Sequence, residues 1–583
     1  MSDEHEEVRT KCAMLQKPVP RVKRPNAVNR PAQHLNASLN EKEICQVLVH
    51  IAPCATLNTH LTACRSRRKK CYQSRQGTSC SFCIQRNLTC SASRQATQSV
   101  IIAYEPLVNR QGTITAQTSA AFIPDQALCE ELVELYFRYI HVSFPNIFHQ
   151  ATFTAAVKDG SVPKILFFGV IALSARFSSH QSLAGIDVWA RGRPYAREAE
   201  RLLDLHEISL TTVQACILLA ANFVNEGEPS TESIYYAIAC RMAMLIDLPN
   251  VPVMTQIERE VNRRVWWSLI TSDTWISSAL CLPRTIKPRE EVPLPMSELT
   301  FAQLQPGDLA ELGPSIDITL TEREDVHFSV LAHMVRLNSL LNDINNLCVT
   351  IVAEQPNTET AENLIHPLSM SLDDWVSQMP PQMQYTEANL KYWAGKGFGR
   401  IFISLHINYN HAGQLLFYQF LHLSETAAEE MPVNSAHINA RKCKSHAANI
   451  CKIVSQAKER PDTDVLYSLL GHVLVLASTT QLHTVLFSAD NKEISMAKSR
   501  LESNFEALTT LRSYWPVVSA SIGRLRAFHN ACLKSTNSSF RLDRWMLQFI
   551  LEFSKPIEEK IEDSDSRERD QLALDRLRQS LKT

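Results

Sequence analysis

Cysteine is distributed unevenly along this chain of 583 residues, and that distribution restricts what its first part can fold into. Eight of the 16 cysteines lie in the first 90 residues, and the other eight are scattered singly over the rest. The chain opens with MSDEHEEVRTK, which lacks the apolar segment of a secretory signal, so we expect a reducing compartment. Crowded cysteines in such a compartment indicate metal binding rather than disulfides.

The last five of these cysteines have a regular spacing. The order is Cys64, six residues, Cys71, eight residues, Cys80, two residues, Cys83, six residues and Cys90. Thiolates with this spacing can converge on tetrahedral Zn²⁺, and a C-x2-C pair places both sulfurs on one turn. Because five thiolates exceed the four positions of one zinc ion, two ions that share ligands are the simplest arrangement.

A basic run fills the interval between the first two of these cysteines. Arginine pairs bidentately with guanine O6 and N7, while lysine and backbone amides hold phosphates. By itself such a run also fits a solvated surface or a nuclear-localisation signal, but between cysteines we favour DNA contacts. The first 90 residues carry a net charge of +9 and the rest of the chain -10. The five cations are Arg65, Arg67, Arg68, Lys69 and Lys70.

This pattern resembles the DNA-binding domain of fungal zinc binuclear cluster (Zn2Cys6) transcription factors, C-x2-C-x6-C, a loop, then C-x2-C-x6–9-C. The resemblance implies a small domain with two short helices, two Zn²⁺ ions and a helix that enters the major groove at CGG-type half-sites. It also implies that Arg67 and Arg68 read bases. Arg65, Lys69 and Lys70 would contact the DNA backbone.

One position departs from the family pattern. Leu61 stands where the family has its first cysteine, which bridges both metal ions. Cys54 could supply the sixth ligand across a nine-residue loop, or the domain could bind one ion or none stably. The third alternative is a gene-prediction error, which we rank above a functional nine-residue loop. Joining Gln46 to Ala63 restores the spacing. An intron removed between them would have to end in AG, and no codon for Thr62 ends in AG. A different splice site or start codon would therefore be required.

The main body begins near Asp125, and its apolar residues follow helical spacing to about residue 555. The same spacing predicts helices over 128–141, 232–247, 258–280, 400–420, 436–457, 464–485 and 497–530. No alternation typical of strands stands out, so we predict a mainly α protein with a large all-α regulatory domain. The proline-rich segment 283–324 is predicted to be an irregular connection. One further stripe is Val330, Met334, Leu337, Leu341 and Ile344.

Several segments of this body resemble the fungal-specific transcription factor domain, or middle homology region, of the same family. They include Leu132–Phe137, His141–His149 and Glu232–Leu248. The most specific is Glu258–Trp267, which the family writes E-x-R-R-R-x-W-W, followed by D-R and G-R-P. Here Thr274 replaces the arginine after the aspartate, and Cys281-Leu282 replaces Gly-Arg.

The residues of this last segment are also expected in any well-packed helical protein. Trp266 and Trp267 are predicted to lie in the core. Arg263 and Arg264 are predicted to form a structural ion pair with Asp273. We therefore predict no ligand site from them.

We divide the chain into five segments. Residues 1–50 are predicted to be a disordered basic segment, 54–90 the Zn2Cys6-type DNA-binding domain and 91–125 a linker. Residues 126–555 are predicted to be the fungal-specific transcription factor domain, and 556–583 a charged tail. The linker has no heptad repeat, so we expect a monomer, or a homodimer through the helical domain, rather than a zipper.

The sequence therefore predicts a nuclear, zinc-dependent regulator of RNA polymerase II transcription that reads CGG-type sites. The alternative is a regulator or corepressor that has lost DNA binding and acts through its helical body. An enzyme is not predicted, because no G-x-S-x-G, Walker or H-E-x-x-H motif is present, and His406 and His411 are read as structural. Expected partners are double-stranded DNA and the transcription machinery, with a homodimer and a small-molecule effector as family-level options, and no membrane.

Overall fold

The computed structural model describes residues 124–141, 146–309, 325–422, 435–534 and 539–560. The predicted N-terminal segment, cysteine-rich domain and linker lie outside these residues, as does nearly all of the charged tail. Those predictions, and the domain boundaries, stay predictions. The described residues form 17 α-helices and no strand, which confirms the all-α body.

The helices follow one another with mostly short connections. A π-helical turn, Phe137–His141, continues the first of them. In chain order they are α1 (Gln126–Tyr136), α2 (Gln150–Asp159), α3 (Lys164–Ser174), α4 (Arg193–Leu202), α5 (Leu210–Glu226), α6 (Pro229–Leu245), α7 (Gln256–Leu280), α8 (Glu298–Gln303), α9 (Val330–Glu354), α10 (Thr358–Ser377), α11 (Glu387–Gly395), α12 (Gly399–Phe417), α13 (Ser435–Lys458), α14 (Leu470–Phe487), α15 (Asn491–Tyr514), α16 (Val518–Lys534) and α17 (Arg544–Ile550).

The ends of these helices carry residues that satisfy free backbone groups. Thr255 and Glu258 form a capping box at the start of α7, in which each side chain accepts a hydrogen bond from the other's backbone amide. The Ser329 hydroxyl caps α9. Gly227 ends α5 with φ of 89°, and Pro229 begins α6, where its missing N–H costs nothing.

The core is built from apolar stripes that face neighbouring helices. The predicted stripe of α9 is confirmed, because all five of its side chains are 5% exposed or less. Helix α9 contacts α7 and α12, and α12 packs along α13. Helices α12 and α13 approach closely at Gly413, where a Cβ atom would overlap the ring of His446.

Two predicted helices have different bounds in the structure. The segment 497–530 is two helices, because Pro516 lacks a backbone N–H and interrupts the ladder between α15 and α16. The segment 464–485 becomes helical only at α14, six residues later than predicted. The preceding carbonyls accept side-chain hydrogen bonds instead: Asp464 from Arg400 and Leu466 from Trp515.

The predicted irregular connection after α7 is confirmed where it is described, apart from the short helix α8. Residues 310–324 of this connection lie outside the described residues. Its described part returns to the start of α7, where the Gln256 amide donates to the Asp308 carbonyl over 2.9 Å. The connection therefore covers α7.

Helix α14 is the one described helix with the length and apolar composition to cross a membrane. Nearly all of its residues are buried against the rest of the protein, and it contacts α13, α15 and α16. A core helix passes the same test, and its burial explains its apolar composition.

None of the eight cysteines of the described residues forms a disulfide bond. Seven are buried and Cys281 is half-buried. Burial raises the pKa of Cys216, Cys348 and Cys443 to about 12 and that of Cys451 to about 11. Because the thiolate is the reactive form, these thiols are inert at neutral pH.

Candidate functional site

The structure does not place the site residues that the sequence predicts. The six predicted zinc ligands and the five predicted DNA-contacting cations all lie outside the described residues, so their roles stay predictions. Within the part of the chain that is described, no group of three or more His, Cys, Asp or Glu side chains could hold a metal ion. The predicted zinc ligands are Cys54, Cys64, Cys71, Cys80, Cys83 and Cys90, and the predicted DNA contacts are Arg65, Arg67, Arg68, Lys69 and Lys70.

The motif segment at the start of α7 is held by a buried ion pair. Arg264 is 0% exposed, and its Nε donates to Glu260 Oε1 over 2.8 Å. Its Nη2 donates to the Met296 carbonyl over 2.8 Å, and the Met296 amide donates to Glu260 over 3.0 Å. The guanidinium also lies 4.2 Å from the ring centroid of Phe301. One ion pair thus fixes the connection after α7 to the helix.

The predicted ion pair of the two arginines with Asp273 is wrong. Arg264 pairs with Glu260 one turn away, and so does the neighbouring arginine, because helical residues three and four apart are neighbours. Asp273 instead accepts hydrogen bonds from the Thr285 amide over 2.9 Å and from Arg284 Nε over 3.3 Å. Asp273 therefore forms a second attachment between α7 and the connection that follows it.

The departure from Gly-Arg at the end of α7 has a structural cost. Cys281 is the C-cap of α7 and has φ of 55°, in the left-handed region that glycine adopts without strain. Arg284 supplies a guanidinium to Asp273 although Leu282 stands at the family's arginine position. Trp266 and Trp267 are 0% and 6% exposed, which confirms their prediction as core.

A cavity of about 670 Å³ lies on the other side of α7. Residues of α5, α6, α9, α12, α14 and α16 also line it, together with the segment 553–557. Thr271, Ser272, Trp275, Ile276 and Ala279 of α7 share one face because their spacing matches the helical repeat. The two anchors on the connection therefore hold a helix that forms a wall of the cavity.

The walls of the cavity are mainly apolar. On α5, Ala221 and Val224 face it, one turn apart. Trp515 and Phe553 contribute large rings from distant parts of the chain. Such a surface favours an apolar molecule over water.

Several polar atoms of lining residues have no hydrogen-bond partner among the described residues. They include Asn225 Oδ1, Thr271 Oγ1, Asn408 Oδ1 and Arg524 Nε. Asn225, Thr271 and Arg524 are 7%, 4% and 5% exposed, so these groups are buried. Buried polar atoms are normally paired, so their grouping around one cavity is unusual.

Arg524 is the principal charge beside the cavity. Its Nη1 donates to the Lys555 carbonyl over 2.8 Å, and its Nη2 donates to the carbonyls of Gln548 and Phe549 over 2.7 and 2.8 Å. Burial lowers its pKa to about 10, which leaves it protonated at neutral pH. Its guanidinium is held by carbonyl dipoles and makes no hydrogen bond to a carboxylate within the described residues.

Glu232 is the acidic group in the same lining. Burial raises its pKa to about 8, so its carboxyl is mostly protonated at neutral pH. Glu232 lies in the first turn of α6, where the helix dipole favours a negatively charged carboxylate. Burial disfavours the carboxylate by a larger amount. The neighbouring Tyr236 hydroxyl accepts a hydrogen bond from Ser272 over 3.0 Å.

The histidines near the cavity are structural. The His472 ring stacks on Phe553 at 4.1 Å, and burial lowers its pKa well below the usual value. His411 stacks on Trp275, and burial lowers its pKa to about 3. Neither donates to or accepts from a hydroxyl or thiol in the described residues. His406, whose ring contacts a backbone carbonyl, is likewise buried. The described arrangement is therefore suited to binding a molecule.

Sequence reasoning missed the cavity because its walls come from segments far apart in the chain. The available signal was weak. Asn225 and Thr271 interrupt apolar helices, but single polar residues of this kind usually hydrogen-bond within the core.

The described residues thus form an all-α body whose buried charges hold the fold together and which encloses a largely apolar cavity. Residues 133–377 match the family model described as the fungal specific transcription factor domain. This part of the chain is therefore similar to that domain of fungal transcription regulators, as the resemblance predicts. The similarity agrees with the prediction of a regulator rather than an enzyme.

Curated relatives show the same similarity. An uncharacterized transcriptional regulatory protein of Schizosaccharomyces pombe is 27% identical over 350 residues, covering 56% of this chain and 35% of the relative. A Zn(2)-C6 fungal-type transcription factor of Fusarium oxysporum is 23% identical, covering 70% and 46%. Cutinase transcription factor 1 alpha of Fusarium vanettenii is 23% identical, covering 52% and 32%. The chain thus spans about a third to a half of these relatives. No solved structure matches it at a significant level.

Proposed function

We propose that the protein is a nuclear, zinc-dependent transcription factor that binds CGG-type DNA sites and regulates RNA polymerase II transcription. One observation carries the proposal: a zinc-cluster cysteine spacing enclosing five cations precedes a fungal-specific transcription factor domain, in the order that the family uses. The name of the Fusarium oxysporum relative, a Zn(2)-C6 fungal-type factor, supports zinc as the metal.

The proposed roles follow the chemistry of the residues. The thiolates of Cys64, Cys71, Cys80, Cys83 and Cys90 hold two Zn²⁺ ions, and Cys54 is the candidate for the sixth ligand. In the basic run, the middle arginines read guanines and the other three cations bind phosphates. The helical body contacts the transcription machinery and provides the surface for a homodimer.

The proposal is tested by an electrophoretic mobility shift with the full-length chain and a duplex that contains CGG half-sites. Arg68→Ala should weaken binding by about 1–3 kcal/mol, and a zinc chelator should abolish it. Arg110→Ala, which removes one charge from the linker, is the matched control and should bind like the natural chain. Binding that is unaffected by the chelator and by Arg68→Ala would exclude the proposal.

The alternative is a regulator that has lost DNA binding and acts through protein contacts of its helical body. Leu61 at the bridging-cysteine position favours it. Zinc content of the purified chain separates the two: two ions per chain support the DNA-binding proposal, and none supports the alternative. Sequencing the transcript across residues 30–70 shows whether Leu61 is genuine.

A further inference from the structure

We propose that the cavity between α5, α7 and α16 is a binding site for an apolar organic acid of small-molecule size. This inference goes beyond DNA binding and does not depend on it, because the residues that carry it all lie in the helical body. Nothing in the sequence motifs points to this site. It follows from the volume, the wall chemistry and the charge of the cavity.

The volume fits a small organic molecule. Sites for such ligands are usually about 300–1,000 Å³, mostly apolar, with a few polar groups. The cavity, at about 670 Å³, falls in the middle of this range. Another cavity, beside Cys281, has only about 30 Å³, which is room for about one water molecule.

The charge near the cavity favours an anionic group on the ligand. Arg524 and Lys555 contribute two cations. The nearby Glu552 carboxylate is already shared by Arg544 and Lys555 at 2.9 and 3.1 Å. Glu232 offers little compensation, since its raised pKa of about 8 keeps it mostly protonated at neutral pH. The Arg524 guanidinium feels the Glu552 charge but donates no hydrogen bond to it, and such a guanidinium binds a carboxylate or sulfonate more strongly than a neutral group.

The unpaired polar atoms fit the same kind of molecule. Arg524 Nε is a free donor, which suits a carboxylate oxygen. Asn225 Oδ1 and Asn408 Oδ1 are free acceptors and suit hydroxyl or amide hydrogens, and the Thr271 hydroxyl can do either. Unpaired groups destabilise the empty protein, so a ligand that pairs them gains affinity.

The test is a fluorescence titration of the full-length chain with anilinonaphthalene sulfonate. This probe has an apolar ring system and a permanent sulfonate anion. We expect saturable binding of one probe per chain. N-phenyl-1-naphthylamine, the same molecule without the sulfonate, measures the contribution of the anion and should bind several-fold more weakly. Equal or tighter binding of the neutral probe would overturn the assignment of an acid.

Substitutions locate the bound probe. Ala221→Trp fills the cavity from the middle of α5 and should weaken binding by about tenfold or more. Ala237→Trp, on a partly exposed face of α6 away from the lining, is the matched control and should have no effect. Ala520→Trp provides a second, more exposed cavity-filling variant in case the first unfolds. Circular dichroism confirms that each variant is folded.

Two results would overturn the site. One is the absence of saturable binding to the natural chain. The other is equal probe affinity in the folded cavity-filling variants and in Ala237→Trp, because the probe would then sit on another apolar surface. Neither result bears on DNA binding, so this proposal can fail while the proposed function stands.

Discussion

Arg264 shows how a charge that is fully removed from water is kept in place. Taking an ion pair into the interior costs several kcal/mol per ion, and the cost is offset only when every charged group is well paired. Glu260 meets this condition, because it accepts from Arg263, Arg264 and the Met296 amide. The pair therefore depends on the carboxylate, and removing it leaves a buried guanidinium uncompensated.

Glu260→Ala should destabilise the protein by about 3–5 kcal/mol, measured as the change in free energy of urea unfolding. Glu387→Ala is the control, since Glu387 is 79% exposed and its partner Arg460 stays in water. The control should leave the unfolding midpoint unchanged. Equal shifts in the two variants would contradict the structural role of the buried pair.

At the scale of helices, Gly413 and Gly523 are both mid-helix glycines, but they have opposite surroundings. A Cβ atom at Gly413 in α12 would overlap the His446 ring, which is itself bonded to Asn410 at 3.1 Å. A Cβ atom at Gly523 in α16 would meet nothing within 4 Å. The first glycine is therefore required by helix packing and the second is not.

The two glycines make a matched pair of substitutions. Gly413→Ala should lower stability by about 1–2 kcal/mol, because overpacking outweighs the gain in helix propensity. Gly523→Ala should raise stability by about 0.5–1 kcal/mol, since only the propensity changes. Thermal unfolding of both variants checks the signs, and a stabilised Gly413→Ala would disprove the close approach of α12 and α13.

Apolar periodicity predicted the helices that bury one continuous stripe, such as α7 and α9. It could not predict the late start of α14, because residues 464–469 have helical spacing but bond to Arg400 and Trp515 from other helices. For the same reason the cavity was not predictable, since its polar groups meet only after distant helices pack. The zinc and DNA sites, by contrast, are predicted from residues that are close together in sequence, and they stay predictions.

For the whole molecule, buried histidines make stability depend on acidity. Burial lowers the pKa of His141, His411 and His483 to about 3, and of His406 and His446 to about 4. An unfolded histidine titrates near pH 6.5. Between pH 6.5 and about 4 the unfolded chain therefore binds more protons, so the folded state loses stability as the pH falls.

Above pH 7 these histidines should not change the urea concentration at the unfolding midpoint. Between pH 6.5 and 5 that concentration should fall steeply. Each buried histidine contributes up to about 1.4 kcal/mol per pH unit. His411→Phe should reduce this slope by about one such contribution, whereas His206→Gln, at an exposed position, should not. An unchanged slope in His411→Phe would show that other groups cause the acid sensitivity.

The buried thiols of the helical body have a practical consequence for studying the other end of the chain. Because burial suppresses their ionisation, a thiol-reactive reagent at neutral pH should modify them only when the body unfolds. Of the eight described cysteines, only the half-buried Cys281 is an exception. Alkylation of the folded full-length protein, before and after chelation, would thus test whether metal protects the cysteines of residues 1–90, and how many.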